Sequence, residues 1–273
     1  MPLCQLPGAD LYFAEKGEGE PLLFLNGLGG DHLYWLGQLR AFGKQYRCLA
    51  TDNRDVGQSG YATESYTIPD LAHDLATLFA KLQLSPAHII GLSMGGMIAQ
   101  EFALAYPHLV KSLVLVNTLA RTDEWFHSTL DAFEKIRLQV ADTASFFEAV
   151  LPWWVSYQFF ADSGRVTWLR WLLQQNPHAQ KLEGFLRQVE AIRRHDATER
   201  LANIHCPVLI LAGEDDAIAP RRFSQELQQR LPRAQLVMVP RVGHALPIEN
   251  PGQFNAHLGR FLESVSTSRR RSA

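Results

Sequence analysis

The stretch HIIGLSMGGMIAQ, from His88 to Gln100, decides the fold. A short apolar run leads into Gly91-x-Ser93-x-Gly95, and a segment rich in helix-forming residues follows. Glycines on both sides of a serine favour a sharp turn from a strand into a helix, because a Cβ there would collide with neighbouring backbone. Such a turn exposes the serine hydroxyl at a helix N-terminus, whose N–H groups stabilise a developing negative charge. The stretch therefore predicts a reactive serine at position 93.

This motif needs support from the rest of the chain. With average usage of glycine and serine, G-x-S-x-G occurs by chance in roughly one chain in ten of this length. A serine hydroxyl is also a weak nucleophile unless a base lies within hydrogen-bonding reach. A catalytic role for Ser93 therefore requires a histidine, a carboxylate and an oxyanion site at suitable positions.

Length and composition favour one large α/β domain. The 273 residues are 47% hydrophobic, enough for a sizeable core, and a formal net charge of −2 favours neither nucleic acid nor an anionic membrane as a partner. The three cysteines are widely spaced, which argues against a disulfide framework and provides no C-x-x-C metal pair. Neither a signal peptide nor an apolar run long enough to span a bilayer is evident. We therefore expect a cytoplasmic protein without a metal, and the sequence leaves its oligomeric state open.

Strand and helix patterns alternate through most of the chain. Besides the run before Ser93, the predicted strands cover residues 11–14, 21–25, 46–51, 112–116, 207–212 and 235–239. Continuous apolar runs suit strands that are buried on both faces, and the alternation with helices indicates a mostly parallel central sheet flanked by helices. Ligands bind at the carboxyl ends of the strands in such sheets. Ser93 and the loop at residues 26–30 both lie at such ends, so we expect them to meet.

The middle of the chain has a different pattern. Between residues 119 and 200 the strand signals vanish, and five of the six tryptophans lie there. Helical spacing predicts an inserted lid over 119–200, between core segments 1–118 and 201–265, and a disordered tail is predicted over 266–273. Most lid aromatics are expected to pack among themselves, but an apolar lid over strand ends also forms a hydrophobic pocket. We assign Trp125, Trp153 and Trp154 to the substrate pocket.

His244 is the predicted general base. It follows the last strand in a Gly-His-Ala loop, and an imidazole has a pKa in the range that a general base needs. We interpret His195 as structural. Four other histidines are interpreted as surface or helix-edge residues: His32, His88, His108 and His257.

A buried carboxylate is needed to hold the imidazole in one tautomer. Asp215 and Asp216 both follow the penultimate strand. We prefer Asp216, three residues after Gly213 and four before Pro220, because that turn would aim it inward; Asp215 is then a solvated loop carboxylate. Asn117, at the end of the middle strand, is not ionisable, which favours the later position.

The oxyanion site should consist of two backbone donors. One is predicted to be the N–H of Met94, directly after the nucleophile, and the other the N–H of Leu28 in the loop after the first buried strand. For this glycine-containing loop, an ordinary turn without a catalytic role is the alternative.

The chain from its first strands to Leu262 resembles the α/β-hydrolase superfamily, in which the triad follows the order Ser, Asp, His. The Gly27 loop and residues 91–96, 213–220 and 243–244 carry the resemblance, although this chain has Asn26-Gly27 where the family commonly has His-Gly. The resemblance implies an α/β-hydrolase fold with an inserted helical lid. It further implies a Ser93–Asp216–His244 triad and no metal or organic cofactor.

Three subfamilies share further segments with this chain. Residues 25–30 and 91–98 look like 3-oxoadipate enol-lactonases, and residues 27–30 with Tyr34-Trp35 are similar to aminoacrylate hydrolases of pyrimidine breakdown. Residues 52–59 resemble a loop of aclacinomycin methylesterases, where most relatives carry Arg-Gly in place of Arg54-Asp55. These resemblances imply different substrates.

The leading functional hypothesis is a serine hydrolase that cleaves a small-molecule carboxylic ester or lactone through an acyl-enzyme. The same triad also serves perhydrolases, C–C bond hydrolases and acyltransferases. Epoxide hydrolases and haloalkane dehalogenases carry a carboxylate where this chain has Ser93. A non-catalytic small-molecule receptor on a hydrolase scaffold is the alternative from another class.

Overall fold

A sheet of eight strands forms the centre of the described part of the protein. The computed structural model describes the backbone of residues 3–6 and 8–272, and the side chains of those up to residue 267. The strands are β1 (Leu3–Cys4), β2 (Leu11–Lys16), β3 (Glu20–Leu25), β4 (Tyr46–Thr51), β5 (Ala87–Leu92), β6 (Val110–Val116), β7 (Val208–Gly213) and β8 (Ala234–Val239). Their order is β1-β2-β4-β3-β5-β6-β7-β8, with β2 antiparallel to both neighbours and the other pairs parallel. The predicted mostly parallel sheet is confirmed.

Helices cover both faces of this sheet. They are α1 (Leu36–Phe42), α2 (Ile68–Leu82), α3 (Met94–Ala105), α4 (Glu124–Gln139), α5 (Thr143–Trp154), α6 (Tyr157–Phe160), α7 (Ser163–Gln174), α8 (Leu182–Arg193), α9 (Arg221–Arg230), α10 (Leu246–Glu249) and α11 (Pro251–Ser272). Short 3₁₀ helices lie at His32–Trp35, Pro107–Leu109 and Thr198–Asn203. None of the helices within the described residues is long and apolar enough to span a bilayer.

The core is divided by the sheet into two hydrophobic clusters. Side chains alternate between the faces of a strand, so Leu23 and Leu25 of β3 belong to one cluster and Leu22 and Phe24 to the other. Helices α2, α3 and α9 pack into the first cluster, and α1 and α11 into the second. All four of these β3 side chains are fully buried, as expected for a strand covered on both sides.

Three local details differ from the sequence-based expectations. The two-residue strand β1 was not predicted, because it is too short to show an alternating pattern. One helix was expected from about Asp31, as its N-cap, to about Phe42; instead Asp31 caps a 3₁₀ turn that precedes α1, and its carboxylate accepts a hydrogen bond from the Leu33 N–H. Helix α11 continues to Ser272 instead of giving way to a disordered tail after Val265. No proline or glycine follows Val265 to stop it; Ala273 lies outside the described residues.

Segment 119–200, which we call the lid, carries helices α4 to α8. Its two ends lie side by side, because Arg121 and Asp196 form an antiparallel bridge and the Ala197 N–H donates to the Ala120 carbonyl. A segment whose ends meet in this way is suited to insertion between two strands of one sheet. We propose that 119–200 is such an insertion between β6 and β7.

Candidate active site

Ser93 lies at the turn between β5 and α3. Its backbone has φ 54° and ψ −121°, a conformation that costs a non-glycine residue about 1–3 kcal/mol. The flanking glycines make this turn possible. A Cβ on Gly91 would lie 2.2 Å from the Gly95 carbonyl oxygen, and one on Gly95 would lie 2.4 Å from the Leu25 carbonyl oxygen. Ser93 is therefore held at the carboxyl end of a central strand by backbone that only glycine permits.

His244 and Asp216 form a buried pair after β8 and β7. The His244 Nδ1 lies 2.8 Å from one Asp216 carboxylate oxygen, and both residues are at most 5% exposed. The other carboxylate oxygen accepts hydrogen bonds of 2.8 Å from the N–H groups of Ile218 and Ala219. These bonds fix the carboxylate, which in turn orients the imidazole. The neighbouring Asp215 is exposed, so the structure places Asp216 rather than Asp215 against His244.

The loop that contains Leu28 packs directly on Ser93. A Cβ on Gly27 would lie 3.0 Å from the Ser93 Cβ and 3.6 Å from its Oγ. The turn is closed by a hydrogen bond from the Gly30 N–H to the Gly27 carbonyl, and the Gly29 N–H donates to Gln188 of the lid. Leu28 therefore lies between fixed backbone groups and close to Ser93, where its N–H is predicted to bind the oxyanion that forms on the substrate carbonyl oxygen.

One cavity brings these residues together. It encloses about 70 Å³, and Leu28, Ser93 and His244 all line it. Met94, the other predicted oxyanion donor, is fully buried at the start of α3. The rest of the lining is mainly apolar: Leu92, Phe126, Leu130, Phe133, Phe146, Phe147, Val150, Trp154, Ile192 and Ile218, with Asn26, Tyr34 and Thr129 as the polar side chains. A hydroxyl and an imidazole thus share a mostly apolar chamber beneath the lid.

The assignment of lid tryptophans to this cavity needs correction. Trp154 lines the cavity, as expected, but Trp125 and Trp153 are 53% and 40% exposed and do not. Successive residues of a helix point about 100° apart, so the neighbour of an inward residue faces elsewhere. Phe126 lines the cavity in place of Trp125, and the Trp153 ring packs against Phe133 in a T-shaped arrangement.

Seven lining residues that were not assigned from the sequence lie on two lid helices and form one stripe on each. They are Phe126, Thr129, Leu130 and Phe133 on α4, and Phe146, Phe147 and Val150 on α5. This spacing of three and four residues is the signal that would have selected them.

Comparison with known proteins identifies the family. Residues 20–152 match the family model described as alpha/beta hydrolase fold, and residues 187–272 match that of TAP-like proteins. A putative carbamate hydrolase RutD of Cronobacter turicensis is 30% identical over 250 residues, which cover 91% of this chain and 93% of that protein. The chain belongs to the α/β-hydrolase superfamily. The predicted resemblance and fold class are thereby confirmed.

Solved structures agree with this hydrolase assignment. The enol-lactonase from Burkholderia xenovorans LB400 superposes with a TM-score of 0.86 at 26% identity, covering 96% of this chain and all of that one (100%). A thermophilic esterase from Thermogutta terrifontis gives a TM-score of 0.82 at 28% identity, with 97% of each chain covered. The protein is an α/β-hydrolase enzyme, the class in which both structures are found.

Two histidines of the hydrolase lie in its interior, contrary to the surface positions expected for them. His32 is 5% exposed, and its Nδ1 lies 3.0 Å from an Asp52 carboxylate oxygen. Burial lowers the pKa of His32, but the hydrogen bond and charge of Asp52 outweigh it and raise the pKa overall. His88 is fully buried, with its Nδ1 2.7 Å from the Ser112 hydroxyl.

Among the described side chains, no three His, Cys, Asp or Glu residues form a group suited to a metal ion.

The Arg54-Asp55 pair stands where most relatives carry Arg-Gly. It connects the hydrolase core to the lid. Asp55 has φ 70°, a left-handed conformation that glycine adopts without strain. Its buried carboxylate accepts hydrogen bonds from the Arg187 guanidinium on α8 at 2.8 and 2.9 Å and from the Ala62 N–H at 2.7 Å. The bidentate ion pair gives this strained aspartate a role that a glycine could not perform.

Proposed function

We propose that this hydrolase cleaves a carboxylic ester or lactone through an acyl-enzyme on Ser93. One observation carries the proposal: Ser93, on its strained turn, and His244, held by Asp216, line the same largely apolar cavity. Nucleophile, base and orienting acid are the parts that acyl transfer requires. The substrate is a small molecule, since the cavity encloses about 70 Å³.

In the first half of the reaction, the Ser93 Oγ attacks the substrate carbonyl carbon. His244 is bonded to Asp216 through Nδ1, so its Nε2 takes the serine proton. The carbonyl oxygen becomes an oxyanion, and the N–H groups of Leu28 and Met94 donate to it. When the tetrahedral intermediate collapses, the carbon–oxygen bond to the alcohol breaks. His244 gives its proton to that oxygen, leaving the acyl group on Ser93.

In the second half, water releases the acyl group. His244 Nε2 removes a proton from the water, whose oxygen attacks the acyl carbon and forms a second oxyanion in the same site. Collapse of this intermediate breaks the bond to the Ser93 oxygen, which recovers its proton from His244. The product is a carboxylic acid, and a lactone would yield the corresponding hydroxy acid. No step calls for a cofactor.

Kinetics with p-nitrophenyl esters of increasing chain length, and with a few lactones, tests the proposal. We expect Ser93→Ala to lower kcat by several orders of magnitude while the protein stays folded. Ser163→Ala, which removes an exposed serine from the lid, is the matched control and should keep full activity. Near-normal hydrolysis by folded Ser93→Ala would show the proposal to be wrong.

A carbamate is a second candidate substrate, because the relative from Cronobacter turicensis is named a putative carbamate hydrolase. Carbamates contain the same carbonyl centre, and attack by Ser93 would give a carbamoyl-enzyme. An aryl carbamate in the same screen, with kcat/KM compared with that of the ester of the same alcohol, decides between the two classes.

A further inference from the structure

Strand β6 ends between two strands that carry members of the proposed triad. On one side β5 leads to Ser93, and on the other β7 leads to Asp216. The two residues that follow β6, Asn117 and Thr118, are at most 1% exposed and do not line the cavity at Ser93. They can therefore affect the reaction only through the residues around them.

Asn117 joins the loop of the base to the loop of the acid. Its side-chain nitrogen donates hydrogen bonds to the carbonyl oxygens of His244 at 2.7 Å and Gly243 at 3.1 Å. Its side-chain oxygen accepts a hydrogen bond of 2.8 Å from the Gly213 N–H, three residues before Asp216. Both hydrogens of the amide and its oxygen are thus used. The partners also fix which end of the amide is which, because a carbonyl only accepts and an N–H only donates.

The two loops that Asn117 joins are in direct backbone contact. A Cβ on Gly213 would lie 2.3 Å from the Val242 carbonyl oxygen and 2.4 Å from that of Gly243. The Asp215 N–H donates to the Val242 carbonyl at 3.0 Å across the same contact. Loss of the Asn117 amide would deprive two buried carbonyl groups and one N–H of this partner, which favours a shift of the loops towards other partners.

The neighbours of Asn117 hold Ser93 in the same way. The Ser93 N–H donates to the Val116 carbonyl at 2.9 Å, and the Thr118 hydroxyl donates to the Ser93 carbonyl at 2.7 Å. Thr118 also packs on the start of α3, where a Cβ on Gly96 would lie 2.6 Å from the Thr118 Cβ. The residue that joins base and acid is thus flanked by the two that hold the nucleophile.

The backbone of Asn117 explains why an asparagine suits this position. Its φ is 45°, in the left-handed region where asparagine is enriched among the non-glycine residues. An asparagine therefore permits the turn and also supplies the three hydrogen bonds. Glycine adopts the same region without strain, so Asn117→Gly removes the hydrogen bonds while the turn is kept.

From these contacts we propose that Asn117 and Thr118 are positioning residues that hold the nucleophile, the base and its acid in the arrangement that proton transfer requires. The inference rests on the hydrolysis at Ser93 proposed above. Asn117 acts through the backbone of the base and acid loops, and Thr118 acts through the backbone of Ser93. Because catalysis is sensitive to displacements of about 1 Å, loss of either contact should lower kcat and leave KM nearly unchanged.

Steady-state kinetics on p-nitrophenyl butanoate tests the effect on the reaction. Asn117→Gly should lower kcat about 10²-fold and change KM less than about twofold. Thr118→Val keeps the shape of the side chain, removes only the hydroxyl, and should lower kcat about tenfold. Ser59→Ala is the matched control, because the buried Ser59 hydroxyl also bonds two backbone groups, the Asp52 carbonyl and the Tyr12 N–H. It should keep the wild-type kcat at a comparable loss of stability, measured by denaturant unfolding.

Proton NMR of the imidazole N–H groups gives a readout that a purely structural role would not change selectively. His244 is bonded to Asp216 through Nδ1 and should give a low-field resonance, because a hydrogen bond to a carboxylate deshields the proton. The His32–Asp52 pair should give a second one, which serves as an internal reference. His244→Gln identifies the resonance of the base. In Asn117→Gly that resonance should shift or disappear, while the one of His32 stays in place.

A folded Asn117→Gly variant that keeps the wild-type kcat, or whose His244 resonance is unchanged, would overturn the inference. So would a loss of kcat no larger than that of Ser59→Ala at the same free energy of unfolding. If Asn117→Gly does not fold, Thr118→Val decides, and full kcat in that variant would contradict the inference. If folded wild-type protein is inert towards every ester, the proposed function fails instead, and the His244 resonance still tests the role of Asn117.

Discussion

The Gly29 N–H donates a hydrogen bond of 3.0 Å to the side-chain oxygen of Gln188, a fully buried residue of lid helix α8. The Gln188 amide nitrogen in turn donates to the Arg54 carbonyl at 3.1 Å. One lid side chain thus holds the backbone next to Leu28, whose N–H is the proposed oxyanion donor. The position of this donor therefore depends on how the lid is seated.

Gln188→Ala should lower kcat about tenfold and change KM little, because a displaced Leu28 N–H loses part of the contribution of one oxyanion donor. Gln188→Glu keeps an acceptor for the Gly29 N–H and should recover part of the loss. Gln139→Ala, at an exposed lid glutamine, is the control. An unchanged kcat in folded Gln188→Ala would show that the bond supports only stability.

Asp216→Asn should lower kcat by about 10⁴-fold, because the amide no longer holds the imidazole in the required tautomer. Asp215→Asn, at the exposed neighbour, should stay within about twofold of the wild type. Steady-state kinetics on one ester, with circular dichroism to verify folding, measures both. A loss confined to Asp215→Asn would reverse the assignment of the acid.

The ion pair between Asp55 and Arg187 should stabilise the contact between the lid and the core. Arg187→Met leaves the buried Asp55 carboxylate without its cation and should lower the free energy of unfolding by about 3 kcal/mol. The double variant Asp55→Gly/Arg187→Met removes that charge and suits the φ of 70° at position 55, so it should be more stable than Arg187→Met. Denaturant unfolding measures both variants, and a double variant that is no more stable than Arg187→Met would contradict this account.

His195 should make the protein sensitive to acid. Burial lowers the pKa of His195 from 6.5 to about 4, although the negative charge of Glu101 opposes the shift. The unfolded chain therefore binds a proton that the folded protein does not, and stability falls as the pH drops from about 6.5 towards 4. This group alone should remove about 2 kcal/mol between about pH 7 and pH 5. His195→Gln should show a shallower decline in denaturant unfolding at the two pH values, and an equally steep decline would contradict the prediction.

The position of Ser93 on a strand-to-helix turn, and of Asp216 and His244 at neighbouring strand ends, was predictable because the signals for these positions are local in sequence. Glycines around Ser93, a histidine after the last strand and an acid after the preceding one each mark a strand end, and parallel strands bring such ends together. The mostly parallel sheet was also predictable from a local signal, because continuous apolar runs are typical of strands that are buried on both faces.

The interior of the site was harder to predict because it depends on helix orientation and on partners far away in sequence. Trp153 and Trp154 are equally apolar, yet only Trp154 faces the cavity, and that choice is set by how α5 packs. His32 and His88 are buried because Asp52 and Ser112 lie beside them, at sequence separations of 20 and 24 residues. No pattern along the chain reveals such pairings.

Covalent labelling tests the central claim most directly. The wild type and Ser93→Ala are incubated with a fluorophosphonate, and intact-mass measurement followed by peptide mapping locates any adduct. Reaction requires a serine activated by its base, so we expect one adduct per chain, on Ser93, and none on the variant. A folded wild-type protein that remains unmodified, or that carries its adduct on another residue, would contradict the assignment of Ser93 as the nucleophile.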